Sequence, residues 1–267
     1  MTGLHSRPPD NPSGDDNQRV ARDAAGQWLR CFARQPAASV RLVCFPHAGA
    51  GASFFFPWAR SFAPLVEVWA VRYPGREDRP AEASPAGIEA MAGEVADALA
   101  MTAGRPLVLL GHSMGALVAF ETARRLDGRG GAPPVRRLIA SSSPAPASPL
   151  LARRRDTDDG ALKRDLRTGG GTPDAIFEHA ELLSLVLQTL RADYHRLNAY
   201  RPAPGAATRA PITVIGGRDD PTVGEEDLAA WQAHTSSAFD RHMLPGGHFH
   251  LAENLPAVIR LVGRDAH

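Results

Sequence analysis

Apolar residues in this chain gather into short, largely β-branched runs at Val40–Phe45, Val66–Arg72, Leu107–Leu110, Val135–Ala140, Ile212–Ile215 and Asp240–Leu244. Between the runs they recur at helical spacing. Strands alternating with helices predict an α/β fold with a mostly parallel central sheet flanked by helices, because parallel neighbours must be joined by a crossover. One such helix is predicted over Pro85–Leu99, with Ser84 as cap, Pro85 at the first position, and Ile88, Met91 and Val95 on its buried face. A second follows the Leu107–Leu110 run, where Leu117, Phe120, Ala123 and Leu126 share a face.

Two stretches break the rhythm. Residues 1–25 are rich in Pro, Asp, Asn and Arg and predict a disordered tail. Between the fourth run and the fifth lies an insertion, at about residues 145–205, far longer than a simple crossover. Its most regular part, Glu181–Tyr200, puts Leu183, Val186, Leu187, Leu190, Tyr194 and Leu197 on one helical face. Such a stripe fits a lid over a site, or a helix that merely packs on the sheet. Residues 26–267 then form a single domain, and with 43% hydrophobic residues the chain can bury a full core.

Charge and cysteine content narrow the class. A net charge of +1 offers no bulk attraction to nucleic acid. Cys31 and Cys44 lack metal-ligand spacing and are expected as buried small hydrophobes in a reducing compartment. No apolar stretch approaches a membrane span and the polar N-terminus lacks a signal-peptide core, so the expectation is a cytoplasmic protein without a membrane partner.

The run beginning at Pro106 ends in Gly111-His112-Ser113-Met114-Gly115, a GxSxG between a predicted strand and a predicted helix. In a Gly-rich chain this motif also arises as an ordinary turn; the flanking elements are what select a nucleophile elbow. Ser113 then sits at the apex with strained backbone, and Gly111 and Gly115 let strand and helix close in. The Met114 N–H, at the helix start, points where an oxyanion would form. That is acyl-transfer chemistry.

A serine hydroxyl needs a base oriented by a third group, and α/β hydrolases carry these in the order Ser, Asp or Glu, His. The strand ending at Gly217 leads into Arg218-Asp219-Asp220-Pro221. Counting from Gly217 selects Asp220 as the acid, with Asp219 as the alternative and otherwise a solvated turn residue. No acid lies one strand earlier, since Ser141 to Leu151 contains no carboxylate. His248, after Gly246-Gly247, is the expected base, with His242 and His250 as competitors. His250 is expected in a supporting or surface position. His195, His234 and His267 have no partner pattern and are expected at solvated or core-edge positions.

A second oxyanion donor is expected from the small-residue loop Pro46-His47-Ala48-Gly49-Ala50-Gly51. The Ala48 N–H is the assignment. His47 is the alternative, set against a loop histidine that packs on the elbow and steadies the loop by a hydrogen bond. His112 is expected beside the nucleophile without serving as its base. No metal ligand set and no cofactor site are predicted.

Several blocks together carry a resemblance: Trp28-Leu29-Arg30-Cys31-Phe32, Cys44-Phe45-Pro46-His47-Ala48-Gly49, Tyr73-Pro74-Gly75-Arg76, Gly111 to Gly115, Leu190-Arg191-Ala192-Asp193-Tyr194 and Leu244-Pro245-Gly246-Gly247-His248-Phe249. In content and order they resemble the type II thioesterases that accompany modular polyketide and nonribosomal peptide synthases, from about Trp28 to Val262. GxSxG is generic; the FPHAG, YPGR and LRADY blocks together are far more specific. The resemblance implies a discrete α/β hydrolase with a helical lid. Its activity would be to remove acyl groups from the phosphopantetheine arm of acyl and peptidyl carrier proteins, clearing stalled or mis-primed modules. A monomer is expected. One departure is Ser141-Ser142-Ser143-Pro144-Ala145-Pro146, where many relatives are more basic, at the lid entrance.

Two other readings fit the same residues: a carboxylester hydrolase acting on small free esters, and a noncatalytic hydrolase-fold binding protein, which a complete, correctly ordered triad opposes. Arg153, Arg154 and Arg155, with Lys163, Arg164 and Arg167, form the most basic stretch. They either steer an acidic carrier protein or make a solvated helix face. Gly169-Gly170-Gly171 is expected to act as a hinge.

Overall fold

Leu107, Val108, Leu109 and Leu110 are all fully buried, Leu107 and Leu109 in one core and Val108 and Leu110 in another on the opposite face of the sheet. Period-two alternation produces this only when helices cover both faces. The computed structural model describes residues 25–102 and 104–265. Among the described residues seven strands form one sheet: β1 (Leu29–Cys31), β2 (Val40–Phe45), β3 (Val66–Val71), β4 (Leu107–His112), β5 (Val135–Ser141), β6 (Ile212–Gly217) and β7 (Phe239–Leu244). Their order is β1-β3-β2-β4-β5-β6-β7, with β1 antiparallel to β3 and every other neighbour parallel. This is the mostly parallel sheet that the apolar runs predict, and it is consistent with the α/β hydrolase that the resemblance implies. β1 is an addition: it is too short to show a period and is held by its register with β3, Leu29 opposite Val71.

Among the described residues the helices of nine residues or more are α1 (Ile88–Ala100), α2 (Met114–Leu126), α3 (Asp159–Gly169), α4 (Ala180–Ala199) and α5 (Leu255–Gly263). α1 and α2 bury Ile88, Met91, Val95, Leu117 and Phe120 against one face of the sheet, and α5 buries Val258 and Val262 against the other. The expected start of α1 is corrected. Gly87 is its cap, extended at φ −149° and ψ 171°, and the buried Ser84 Oγ has no hydrogen-bond partner. The Pro85 carbonyl accepts instead from Arg196 Nε at 2.9 Å, outside any helix. The cysteine expectation is half corrected, since Cys44 is buried but Cys31 is half-exposed.

The insertion between β5 and β6 holds α3 and α4, within one residue of the expected Glu181–Tyr200 span at each end. Leu187, Leu190 and Leu197 are buried, and Leu183, Val186 and Tyr194 are half-buried. Leu162, Leu187 and Leu190 make a small core of their own, with Ala48 of the loop after β2 packed at its border. The expected tail, residues 1–25, lies outside the described residues except Ala25, which is buried, and so does His267. No helix among the described residues is long and apolar enough to cross a membrane.

Candidate active site

Ser113 joins β4 to α2 at φ 53° and ψ −120°, a backbone region that a residue with a Cβ enters only under strain. The turn is held because the Ser113 N–H donates to the Ser141 carbonyl at 2.8 Å. It also needs both glycines. A Cβ on Gly111 would lie 2.3 Å from the Gly115 carbonyl oxygen, and one on Gly115 only 2.1 Å from that of Phe45. Met114 is the first residue of α2, so its N–H lacks an intrahelical acceptor.

On the loops after β6 and β7, His248 Nδ1 lies 2.9 Å from Asp220 Oδ2. Gly217 permits this approach, for a Cβ there would sit 2.2 Å from the Gly247 carbonyl oxygen. The other carboxylate oxygen, Oδ1, accepts from the Thr222 N–H at 2.8 Å and the Thr222 Oγ1 at 2.6 Å. Burial would raise the Asp220 carboxyl, but hydrogen bonds from His248 and Thr222 and the imidazole charge outweigh it, bringing it down to about 2. Asp219, the alternative acid, is exposed, and among the described residues its side chain makes no hydrogen bond or ion pair with His248.

Ala48, Ser113, Met114 and His248 line one cavity of about 690 Å³, whose far side is built by the insertion, including Val186 and Leu190. Among the described residues no acceptor is paired with the Ala48 or Met114 N–H. The loop carrying Ala48 is clasped from outside. Glu77, at φ 51°, accepts from the N–H groups of Ala52 and Ser53 at 3.1 and 3.0 Å, and Arg76 Nη1 donates to the Ala50 carbonyl at 2.7 Å. Asp193 accepts from the Gly49 N–H at 2.8 Å.

His47, His112 and His250 lie near His248. His47 packs edge-on against Phe54, His112 and Phe249, with ring centroids 4.8, 5.5 and 4.8 Å away. Its packing on the elbow matches expectation, but its buried Nδ1 makes no hydrogen bond. The His112 ring lies 5.1 Å from that of His248, and its Nδ1 is 3.1 Å from Ser141 Oγ. His250 is a correction to the surface alternative: it is fully buried, with Nε2 3.4 Å from the same Ser141 Oγ. Burial pushes His47 down to about 3 and His250 to about 4, and holds His112 well below the ordinary imidazole value. His234 is buried and bonded to the Ala206 carbonyl, and His195 is exposed. Among the described residues no cluster of His, Cys, Asp or Glu is arranged to hold a metal ion.

Within the basic stretch, Arg153 and Arg154 are exposed and line the cavity. Arg155 is half-buried over the Tyr194 ring, at 6.0 Å, and Arg167 stands over Phe177, at 4.7 Å. Gly170 and Gly171 take positive φ, and Gly171 packs under Phe249, where a Cβ would lie 2.8 Å from the ring. Thr222, Glu77, Arg76 and Asp193 had no role in the sequence reading. For Asp193 a signal existed, a carboxylate on the apolar stripe of α4 between Leu190 and Leu197.

A family model described as "Thioesterase domain" matches residues 40–265. Thioesterase PikA5 of Streptomyces venezuelae is 40% identical over 229 residues, which cover 85% of this chain and 81% of that protein. The structure of the type II thioesterase BorB from the borrelidin biosynthetic cluster is similar at TM-score 0.80 and 36% identity, covering 90% of this chain and 98% of BorB. The RedJ thioesterase from the prodiginine biosynthetic pathway in Streptomyces coelicolor is similar at TM-score 0.73 and 36% identity, covering 87% of each chain.

Proposed function

The chain belongs to the thioesterase-domain family, and from that premise we propose that it is a discrete type II thioesterase hydrolysing acyl groups from the phosphopantetheine arm of carrier proteins. Its role would be to clear stalled or mis-primed modules of polyketide and nonribosomal peptide synthases, as a cytoplasmic monomer with no cofactor. Residues 26–267 form the hydrolase domain and the insertion at about 145–205 is its lid.

In this reading His248 takes the proton of the Ser113 hydroxyl through Nε2, the nitrogen not committed to Asp220. Ser113 attacks the thioester carbonyl, and the Ala48 and Met114 N–H groups receive the oxyanion. His248 protonates the leaving thiol, then activates a water that releases the acyl group from Ser113. Asp220 fixes the imidazole tautomer and stabilises its charged form.

The observation that carries the reading is the convergence on one cavity of a strained serine, a carboxylate-paired histidine and two unpaired N–H groups. Its test is turnover of a panel of acyl carrier proteins beside matched small esters. Higher kcat/KM for carrier-bound thioesters is expected. Preference for the free esters would make the protein a carboxylesterase, and no turnover of either would make it a binding protein.

A further inference from the structure

Arg155 is half-buried, and among the described residues its guanidinium pairs with no carboxylate and bonds to no acceptor. Every other buried or half-buried arginine among those residues has a carboxylate partner, as Arg41 has Glu67 at 3.3 Å and Arg137 has Asp265 at 2.7 Å. The Arg155 Nη1 is also shut off from solvent. Burial lowers this group from the ordinary guanidinium value although Tyr194 and Asp165 favour its charge. A guanidinium still keeps its proton, so Arg155 is a partly desolvated cation with donors to spare.

Its position is built. The Arg155 N–H donates to Asn198 Oδ1 at 2.8 Å and its carbonyl accepts from Asn198 Nδ2 at 2.9 Å, which fastens the backbone to α4. The guanidinium stands over the Tyr194 ring at 6.0 Å, and the Tyr194 hydroxyl donates to Asp165 Oδ2 at 3.1 Å. Arg155 lines the same cavity as Ser113 and His248, beside Val186 and Leu190. Apart from the imidazoles of His47 and His248, the charges on that wall are Arg153, Arg154 and Arg155 against Asp165 alone. An apolar side chain would fill the place of Arg155 at least as well if packing were its purpose. What an unpaired guanidinium adds to an apolar wall is a demand for an oxygen acceptor.

We propose that Arg155 is a specificity-determining residue that receives an oxygen acceptor carried on the acyl chain, a ketone, amide or carboxylate oxygen, so that the cavity takes oxygenated acyl chains in preference to plain alkyl ones. This rests on the reading of the protein as a thioesterase with Ser113 as nucleophile, and it names the acyl class that the site serves. The pantetheine arm carries acceptors of the same chemistry, so the test varies acyl chain and thiol separately.

Wild type, Arg155→Met and Arg155→Lys are compared in the full chain. The substrates are octanoyl, suberoyl and three oxo-octanoyl thioesters with the ketone near the thioester, midway and at the far end, each on N-acetylcysteamine and on pantetheine. The readouts are kcat, KM and Tm. Wild type should favour at least one oxygenated chain over octanoyl by about tenfold in kcat/KM. Arg155→Met should cost that chain on the order of 10- to 100-fold, the scale of a lost hydrogen bond to a charged group, chiefly through KM. Octanoyl should stay within about twofold on both thiols, which shows that the catalytic groups are undisturbed even where Tm falls. Arg155→Lys should keep part of the preference, because an ammonium still donates but lacks the planar fork.

Equal kcat/KM for octanoyl and every oxygenated chain in wild type would overturn the proposal, whatever the variants do. A parallel loss on octanoyl and oxygenated chains in Arg155→Met would also overturn it. Such a loss on both thiols would make the guanidinium a support of the insertion, and on the pantetheine thioesters alone a contact to the arm. If Arg155→Met does not fold, the wild-type preference and its reduction in Arg155→Lys decide. No wild-type turnover of any thioester would fail the thioesterase reading and the proposal with it, whereas turnover without a preference would fail the proposal alone.

Discussion

The Asp220 carboxylate meets Nδ1 of His248 at 2.9 Å, while the adjacent Asp219 is exposed. An acceptor on Nδ1 keeps the proton there and leaves Nε2 free, so the pairing sets the tautomer that the proposed attack by Ser113 would require. Thr222 locks the opposite oxygen of Asp220 with two hydrogen bonds, which stops the carboxylate from rotating away.

Asp220→Asn is expected to lower kcat about 10⁴-fold, because an amide can present a donor to Nδ1 and favour the wrong tautomer. Asp219→Asn should stay within about twofold, as an exposed substitution without a partner does. Steady-state kinetics on one acyl thioester settle the pair. The opposite ranking would mean that Asp219 is the acid.

Ser113→Ala should abolish turnover and covalent labelling by a serine-directed phosphonate, with a loss on the order of 10⁴-fold or more, since triad members act as a unit. Circular dichroism and Tm should show an intact fold, because Gly111 and Gly115 make the turn and the serine side chain does not. A folded variant that still hydrolyses near the wild-type rate would remove the mechanism.

The part of this arrangement that could be read from sequence is the part that is local. β4 and α2 meet at a five-residue motif, and the apolar runs of β2 to β7 show through because each is buried on both faces or packed by its neighbours. Counting from Gly217, where close backbone approach fixes the spacing, leads to Asp220, the carboxylate that pairs with His248. Three-residue β1 was invisible, because only β3 makes it a strand. The start of α1 was misread because Ser84-Pro85 imitates a helix beginning, while Gly87 next in line caps the real one. Asp193 lay in view within the LRADY block but without a role. Its partners Arg76 and Gly49 stand 117 and 144 residues away, and no periodicity connects positions so far apart.

The buried imidazoles around the base predict an acid instability that begins above the carboxylate range. His47 is held to about 3 and His250 to about 4, against an ordinary value of 6.5. As pH falls below 6.5 the unfolded chain takes up protons on these side chains and the folded protein does not, so stability declines through that window and the His250 contribution levels off near 4. Asp220 acts lower down: held to about 2 against 3.8, it contributes stability above 3.8 that is lost as pH falls through about 2. Tm should therefore drop between pH 7.5 and pH 5, and kcat/KM should fall on the acid side with a slope of one, since in the folded protein His47 and His250 stay neutral and Asp220 stays ionised across that range. A flat Tm, or a slope of two, would contradict the neutral cluster.

The last prediction concerns the carrier protein. Arg154 and Arg164 are exposed, and Arg154, with Arg153, borders the cavity on the insertion side. Carrier proteins are generally acidic, so these cations would act on encounter, a contribution screened within a Debye length of about 8 Å at physiological salt. Arg155 is left out of the variant because it is half-buried over Tyr194 and its loss would disturb packing. Arg154→Glu combined with Arg164→Glu should raise KM for an acyl carrier protein and leave that for the matching N-acetylcysteamine thioester unchanged. Added salt should weaken wild-type activity on the protein substrate selectively and lose that effect in the double variant. Chemistry at Ser113 is untouched in either case, so kcat on the small thioester stays constant. The measurement is kcat/KM for both substrates at low and high ionic strength. Equal losses on both substrates would mean that the two arginines support the fold of the insertion, and no loss on either would leave them as a solvated face with docking borne elsewhere.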